Sequence, residues 1–482
     1  MSQSSRRTFL SDSFFLAALT AASTGQSAPV FATPRTPKRF ADKVRMAVIG
    51  VNGRGKAHME SYLSNPKSEV VAICDVDLSE AEAAAAIVEK KSGKRPKIFQ
   101  DLRKVYEDKE IDAVSCALPI HWHSLAGIWA MQAGKDAYIE KPVSHNVSEG
   151  RRLSDAMVRY NKICQTGTQS RSSKAIKEAM EYIHSGKIGT VELARGLCYK
   201  PRKSIGIKPD SVAPDNLNYD IWLGPAPKRP FNANRFHYEW HWNWDYGAGD
   251  LGNQGIHQMD ICRWALNKKT LPNKVQSVGG RFSYIDQGET PNTVVSTFDY
   301  GDQTLVFEVR GLNTPAYQNV SIGNIIYGSE GYVVFSSDYG TVLAFDKAGN
   351  QVQQFKGGGD HWGNFIKCVM SRNVGDLNAP IVEGHLSSAL CHLGNISLRL
   401  GEPASPAANI TGLLATNKHG QEAVTRYREH LSANAVDITK AMGRSGRTIN
   451  IDAKREGIIG DAEASLMLTR PYRASFAVPA KL

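Results

Sequence analysis

The 482-residue chain has no uninterrupted apolar run near the roughly 18 residues of a membrane span, so membrane insertion is not expected. Cysteine is scarce. The seven (Cys74, Cys116, Cys164, Cys198, Cys262, Cys368, Cys391) are odd in number and show no C-x-x-C spacing, which argues against a disulfide framework or a cysteine metal site. Cys74 and Cys116 lie in apolar, strand-like runs where a thiol serves as a small hydrophobe. A basic block is also missing. The net charge of +11 is concentrated at the N-terminus, where residues 1–43 hold six basic and two acidic side chains, and is otherwise thinly spread, so no nucleic-acid partner is expected. With 41% hydrophobic and 22% charged residues, the composition is globular and excludes disorder and a coiled coil. At about 150 residues per domain, two or three domains are expected.

What is present begins with Ser5-Arg6-Arg7-Thr8-Phe9-Leu10, an apolar stretch from Phe14 to Ala22, and small residues through Ala28 and Ala32. Charged, apolar and small-residue regions in that order form an export leader, and consecutive arginines before Phe-Leu resemble a twin-arginine signal. The expectation is a signal peptide over 1–32, a linker over 33–42, passage through the twin-arginine machinery as a folded chain, and a periplasmic location.

Residues 44–50 form a short apolar run that ends in glycine. Gly50-Val51-Asn52-Gly53-Arg54-Gly55 follows, and then a helical stretch from Lys56 to Leu63. Strand, glycine-rich turn and helix start make the first unit of a dinucleotide-binding fold, in which backbone N–H groups and a helix N-terminus receive the pyrophosphate. Asn52 stands at the middle glycine position of the pattern, and asparagine tolerates a left-handed backbone better than most residues. A second apolar run, Val70–Cys74, ends at Asp75, 20 residues after Gly55, where a carboxylate accepts ribose hydroxyls. A carboxylate there repels a 2′-phosphate, so NAD is favoured over NADP; the plainer reading of Asp75 is a polar strand end. Strands at 111–118 and 136–139 alternate with helices at 81–91 and 125–133, which predicts a doubly wound parallel sheet over 43–165. Ligands sit at the carboxyl ends of such strands, where Pro119, His121, His123, Glu140 and Lys141 fall.

Beyond residue 166 the pattern changes to strands without intervening helices, at 191–199, 275–284, 293–300, 305–309, 319–327 and 332–335, separated by glycine-containing turns. This suits an antiparallel sheet. The segment His237-Tyr-Glu-Trp-His-Trp-Asn-Trp-Asp-Tyr246 alternates aromatic and polar residues. If extended, it presents Trp242, Trp244 and Tyr246 on one side and Asp245 on the other, able to stack on and hydrogen-bond a sugar ring. The alternative is an aromatic core with a polar outer face. His237, His241 and Asp245 are suitable ligand types for a metal but lack a compact helical spacing, and no metal is expected.

The motifs Gly50-Val-Asn-Gly-Arg-Gly55, Pro119-Ile-His-Trp-His123, Glu140-Lys141-Pro142, Gly167-Thr168-Gln169 and Gly255-Ile-His257-Gln-Met-Asp260 resemble, in order, those of the glucose–fructose oxidoreductase / inositol dehydrogenase / MocA (Gfo/Idh/MocA) family. The resemblance spans about 43–400. It implies an N-terminal Rossmann domain, a substrate-binding and oligomerising α/β domain over 166–401 with an open, mostly antiparallel sheet, and a homo-oligomer (dimer or tetramer). The remaining 402–482 is expected to dock on the second domain. Cofactor contacts are expected from Gly50, Asn52, Gly53, Arg54, Gly55, Asp75, Pro119, His123, Glu140, Lys141 and Gln169. Substrate contacts are expected from His121, Arg171, Trp242, Trp244, Asp245, Tyr246, Asn253 and His257, although Arg171 also suits a plain surface charge.

By the same resemblance, Lys141 and His257 carry the catalytic roles. Asn253 stands where many family dehydrogenases have an aspartate, and an amide orients a hydroxyl but accepts no proton as a base. The leading expectation is an NAD-dependent oxidoreductase acting on a secondary hydroxyl or ketone of a sugar or glycoside, with tightly held cofactor. Exported relatives that cleave glycosides by transient oxidation and elimination supply the second reading. A cofactor-bound sensor or binding protein is the third.

Overall fold

The computed structural model describes residues 42–482, so the leader and all but the last residue of the linker lie outside the described residues. Six short apolar strands form the first sheet: β1 (Val44–Ile49), β2 (Ser68–Cys74), β3 (Lys97–Phe99), β4 (Ala113–Cys116), β5 (Asp136–Ile139) and β6 (Cys164–Thr166). Their order is β3-β2-β1-β4-β5-β6 and every pairing is parallel. The order reverses between β1 and β4, the position at which such sheets open a ligand crevice.

Helices α1 (Gly55–Ser64), α2 (Leu78–Ser92), α3 (Ile120–Gln132) and α4 (Val147–Arg159) connect these strands. Helix α2 starts where the Asp77 carboxylate accepts the Ser79 N–H (3.0 Å) and stops at Gly93 in a left-handed conformation. Helix α3 is buried on nearly all sides, so its sequence is apolar all round rather than amphipathic.

The second sheet contains β7 (Val191–Tyr199), β8 (Lys274–Gly280), β9 (Thr293–Asp299), β10 (Thr304–Arg310), β11 (Ile322–Gly328), β12 (Gly331–Phe335), β13 (Thr341–Asp346) and β14 (Gln351–Lys356). All neighbours among these strands are antiparallel except β7 and β10, which run parallel at the centre. The fold is therefore the expected α/β pair of a Rossmann sheet and an open, mostly antiparallel sheet. On the inner face Ala194, Cys198, Phe307 and Val309 pack with helix α5 (Gly255–Ala265) and helix α6 (Ile381–Arg399) in one core. All seven cysteines are buried free thiols.

Three elements escape the periodicity of the sequence. Strand β14 is almost wholly exposed and reads Gln-Val-Gln-Gln-Phe-Lys, without an apolar alternation. Strand β13 is likewise unmarked, and α6 is buried nearly throughout its length and so shows no polar stripe.

Residues 402–482 divide between the two domains rather than docking on the second alone. Short strands β15 (Glu402–Ala404), β16 (Gly443–Ser445) and β17 (Ile449–Asp452) extend the second sheet beside β8. Helix α7 (Lys418–Ala433) covers the outer face of β8–β10. The closing stretch turns back to the first domain, where Phe476 packs with Trp122 and Trp129 of α3 and adds to the cover that residues 221–224 give Trp122.

Beneath α7, Glu308 is fully buried and accepts from Arg195 (2.6 Å), Arg310 (2.9 Å), Arg426 and the Tyr199 hydroxyl (3.0 Å). Burial alone raises its pKa, but the three guanidinium groups bring it down to about 2. Removing this carboxylate leaves buried Arg310 without its counter-charge and Arg195 and Arg426 with the half-exposed Glu422 alone. Glu308→Ala is expected to lower unfolding free energy by about 3–5 kcal/mol, whereas Glu422→Ala, at the half-exposed rim of the same cluster, costs under about 1 kcal/mol; urea denaturation of both variants checks the contrast.

Candidate active site

The crevice at the β1–β4 switch point is a cleft of about 1370 Å³, partly open to solvent, walled by both domains. Its floor is the glycine turn. Gly50 has φ +82°, and a Cβ there would lie 2.4 Å from the Ala117 carbonyl oxygen; a Cβ on Gly55 would meet the Gly50 carbonyl at 1.7 Å. Both positions therefore require glycine, one for backbone conformation and one for close helix–strand packing. A Cβ on Gly53 meets nothing within 4 Å, since that residue faces the open cleft.

Asn52 lies in the cleft wall, and its backbone does not take the left-handed conformation expected of it. Its amide instead meets His237 Nδ1 (2.5 Å), a residue of the second domain. With the amide oxygen turned to that imidazole, the nitrogen donates to Glu80 (3.1 Å). Asp75 lines the same wall and accepts the N–H groups of Val51 (2.8 Å) and Asp77 (3.0 Å), which fixes its carboxylate at the end of β2. Burial pushes the Asp75 carboxyl above its ordinary value, opposed by those two N–H groups.

At the other end of the cleft, Glu140 follows β5 and is buried. It accepts from His58 Nε2 (3.1 Å), Arg54 Nε (3.2 Å), Gln169 Nε2 (3.0 Å) and the Lys141 backbone N–H (3.0 Å). Burial alone raises its pKa, but the His58 hydrogen bond and the charges of Arg54 and Lys141 hold it well below the usual carboxylate range. His58 Nδ1 accepts from Ser115 (2.9 Å), which accepts from the Tyr62 hydroxyl (3.2 Å), so every donor in this chain points toward Glu140.

Lys141 Nζ donates to the Asn253 carbonyl (2.7 Å); burial lowers its pKa, Glu140 opposes that, and Arg54 adds to it. Asn253 turns its amide toward the Tyr238 hydroxyl (3.3 Å). His257, in the first turn of α5, has a buried Nδ1 without a partner. Burial and then the charge of Lys141 push its pKa down to about 3, so the imidazole is neutral. His123 donates Nδ1–H to the Pro142 carbonyl (2.5 Å), which leaves Nε2 as an unpaired acceptor at the cleft.

Other expected contacts fall elsewhere. Gly55 and Gln169 stand behind the wall, one packing the turn and one holding Glu140. His121 donates Nε2–H to the Trp222 carbonyl (2.9 Å) and supports the short helix Tyr219–Leu223. Arg171 is a buried ion-pair residue, neither a surface charge nor a cleft group, held by Asp260 (2.8 Å) and Glu383 (3.0 Å).

The aromatic segment is not extended. Residues Glu239–Trp242 form a 3-10 turn, whose period of three puts Tyr238 and His241 on one side and breaks the expected alternation. Tyr238, Trp240 and His241 consequently line the cleft, with Trp240 stacked on His241 at 3.6 Å. Trp242 lies under Arg202, Trp244 under Arg399, Asp245 pairs with Arg229 (2.8 Å), and Tyr246 packs on Trp222 (4.7 Å). His237, the first residue of that segment, also joins the wall, as do Trp222 and Phe236, which no motif in the sequence marked. Among the described residues no group of three or more His, Cys, Asp or Glu side chains is arranged to hold a metal ion.

Residues 44–168 match the model described as "Oxidoreductase family, NAD-binding Rossmann fold", and residues 202–407 match that of the same family's C-terminal alpha/beta domain, together well over half of the chain. This chain belongs to the GFO/IDH/MocA oxidoreductase family. Among curated relatives, glycosyl hydrolase family 109 protein 1 of Akkermansia muciniphila is 30% identical over 32% of this chain and 33% of its own length. Inositol 2-dehydrogenase/D-chiro-inositol 3-dehydrogenase of Lacticaseibacillus casei is 23% identical over 50% of this chain and 68% of its own. The chain thus spans about a third of the length of the family 109 relatives it matches. A levoglucosan dehydrogenase solved with NADH and levoglucosan shares the fold, with a TM-score of 0.56 at 19% identity over 73% of this chain and 96% of that one. The WlbA dehydrogenase of Bordetella pertussis shares it too, with a TM-score of 0.53 at 20% identity over 72% and 94%.

The GFO/IDH/MocA Rossmann domain binds NAD, and the cleft fits that cofactor: the two glycines leave no Cβ over the turn, and Asp75 faces the cleft from the end of β2. Asp75→Ala is expected to weaken NAD binding about tenfold and to narrow the preference over NADP, read by titration calorimetry with both dinucleotides.

A second expectation concerns acid. Burial holds His121 at about 3 and His123, His361 and His392 at about 4, against an ordinary value near 6.5. Below pH 6.5 the unfolded chain takes up protons that the folded chain does not, so this stability is complete above 6.5 and is lost as pH falls toward 4. Each such imidazole costs about 2 kcal/mol between pH 7 and 5, and urea midpoints are expected to fall steeply over that interval.

Proposed function

We propose that this GFO/IDH/MocA protein oxidises and reduces a secondary alcohol of a sugar or glycoside, with NAD held between its domains. The observation that carries the reading is Lys141 held to Asn253 at the Glu140 end of a cleft whose other end carries Asp75, with neutral His257 one helical turn beyond Asn253, behind the cleft lining and within reach of the Lys141 charge. When bound, the nicotinamide supplies the acceptor and donor of hydride. Lys141 stabilises the developing alkoxide as an ammonium, and its lowered pKa suits it to receive and return the hydroxyl proton. His257 accepts or donates a hydrogen bond at the same oxygen. Asn253 fixes Lys141 through its carbonyl and orients a hydroxyl through its amide. Aromatic faces of Trp240 and Tyr238 cover the ring and exclude water.

A redox-assisted glycosidase is the second reading, favoured by the carboxylates. Among the described residues the cleft is lined by two acidic side chains, Asp75 and Glu140, and Glu140 is fully engaged by donors. No pair flanks a common point as hydrolysis by two carboxylates requires, so bond cleavage here proceeds through oxidation and elimination if it proceeds at all.

The Arg6-Arg7 leader supports export of the folded, cofactor-loaded chain to the periplasm. Domain limits at 43–165 and 166–401 are supported by the change from parallel to mostly antiparallel pairing after β6, although β15, β16 and β17 carry the second sheet past residue 401. The part-exposed aromatics Tyr327, Tyr332 and Phe345 on the outer face of β11–β13 suit a homo-oligomer, dimer or tetramer, that meets face to face.

The test is to add sugars and nitrophenyl glycosides to purified protein and follow reduced nicotinamide and nitrophenolate together. Reduced nicotinamide without nitrophenolate is expected, falling at least a hundredfold in Lys141→Ala and His257→Ala while dinucleotide content stays within about threefold. Nitrophenolate without accumulating reduced nicotinamide identifies the glycosidase. Neither signal, from protein that retains dinucleotide, identifies a sensor or binding protein.

A further inference from the structure

Residues 408–482 lie beyond both matched family domains, yet one of them reaches the back of the cleft wall. Arg470 Nη1 lies 3.0 Å from His145 Nδ1 and donates to the Asp245 carbonyl (3.0 Å), while Nη2 donates to the Pro225 carbonyl (3.2 Å). His145 donates Nε2–H to the Trp244 carbonyl (2.9 Å), which fixes its tautomer and leaves Nδ1 to accept from Arg470. His145 stands four residues after Lys141. The guanidinium therefore joins the Glu-Lys-Pro turn of the first domain to both ends of the segment that supplies Phe236, His237, Tyr238, Trp240 and His241 to the cleft.

Arg470 makes no ion pair among the described residues; three neutral acceptors take its N–H groups, and its charge acts on the buried Glu149 carboxyl. A planar fork of donors suits diverging carbonyls as an ammonium does not. The surrounding contacts hold the guanidinium in place. The Ser148 N–H donates to the Leu468 carbonyl (2.9 Å), and the Tyr472 hydroxyl donates to Glu149 (3.0 Å). Arg473 donates to the Asp220 carbonyl (3.0 Å). On the cleft side, Tyr246 packs on Trp222 at 4.7 Å, and the 3-10 turn carries Trp240 and His241 over the opening. The far end of the segment rests on Asn52 through His237.

We infer that Arg470 is a positioning residue: by pinning the carbonyls of residues 225 and 245 and the ring of His145, it seats the aromatic segment over the cofactor and the sugar. The C-terminal stretch is on this account a working part of the site. The inference rests on the reading that the cleft holds dinucleotide and sugar together.

Arg470→Ala and Arg470→Lys are compared with the full wild-type chain by three measurements: amide hydrogen exchange, NADH release and steady-state kinetics. In Arg470→Ala, amides of residues 236–246 are expected to exchange about tenfold faster while those of β1–β6 are unchanged. NADH release is expected to quicken about tenfold and KM for the sugar to rise about tenfold with kcat within about threefold, because the segment gates the site rather than touching the reacting atoms. Arg470→Lys recovers part of each loss. Unchanged exchange and kinetics in Arg470→Ala overturn the inference, as does a loss spread over the whole chain that Arg470→Lys does not recover. If wild-type protein binds no dinucleotide and turns over no sugar, the functional reading fails, while exchange at 236–246 still decides whether Arg470 seats the segment.

Discussion

A single buried carboxylate organises the first domain around the reaction centre. Glu140 gathers donors from Arg54 before α1, from His58 within it, from the turn after β6 and from its own backbone neighbour, and His58, fully buried, would otherwise be left with a donor without a partner. Its negative charge also offsets the burial of Lys141 in a pocket already occupied by Arg54. The arrangement explains why residue 167 is glycine, since a Cβ there would lie 2.5 Å from the Glu140 carboxylate. It explains too why a histidine sits inside α1. Neutral His58 accepts from Ser115 at one nitrogen and donates to Glu140 at the other, which only one tautomer allows.

The first domain was largely legible because its signals are local. A glycine that must adopt φ +82°, an apolar strand ending in Asp75, and Glu-Lys-Pro at a strand end each announce their positions within a few residues. The second domain was legible as a sheet, but β14 and α6 were hidden, one by exposure and one by complete burial, since either extreme erases the polar–apolar period. The aromatic segment shows the limit most clearly. Its composition marked it as part of the site, but the side chains that face the cleft are set by a 3-10 turn. A period of three brings Tyr238 and His241 together, which a period of two would set on opposite sides.

Arg171 and Asp260 make the complementary point. Both belong to stretches rich in site residues, and both are consumed by a buried ion pair that Glu383 extends through Arg171. Residue type and motif membership do not separate a group that meets substrate from a group that meets another side chain. The difference arises from contacts that are 89 and 212 residues distant along the chain.

The return of Phe476 to Trp122 has a consequence for how the molecule comes into being. The six parallel strands are complete by residue 166, yet the indoles of α3 gain cover only from residues 221–224 and, more than three hundred residues after β6, from Phe476. The second sheet waits as well, because β7 at its centre needs β10 and β11, and β8 needs β16 and β17. Such long-range pairings are slow to form and leave sticky intermediates exposed meanwhile. A nascent chain that has finished its nucleotide-binding half is therefore still a client for chaperones, and a ribosome that stalls before residue 476 releases a product with tryptophan on its surface.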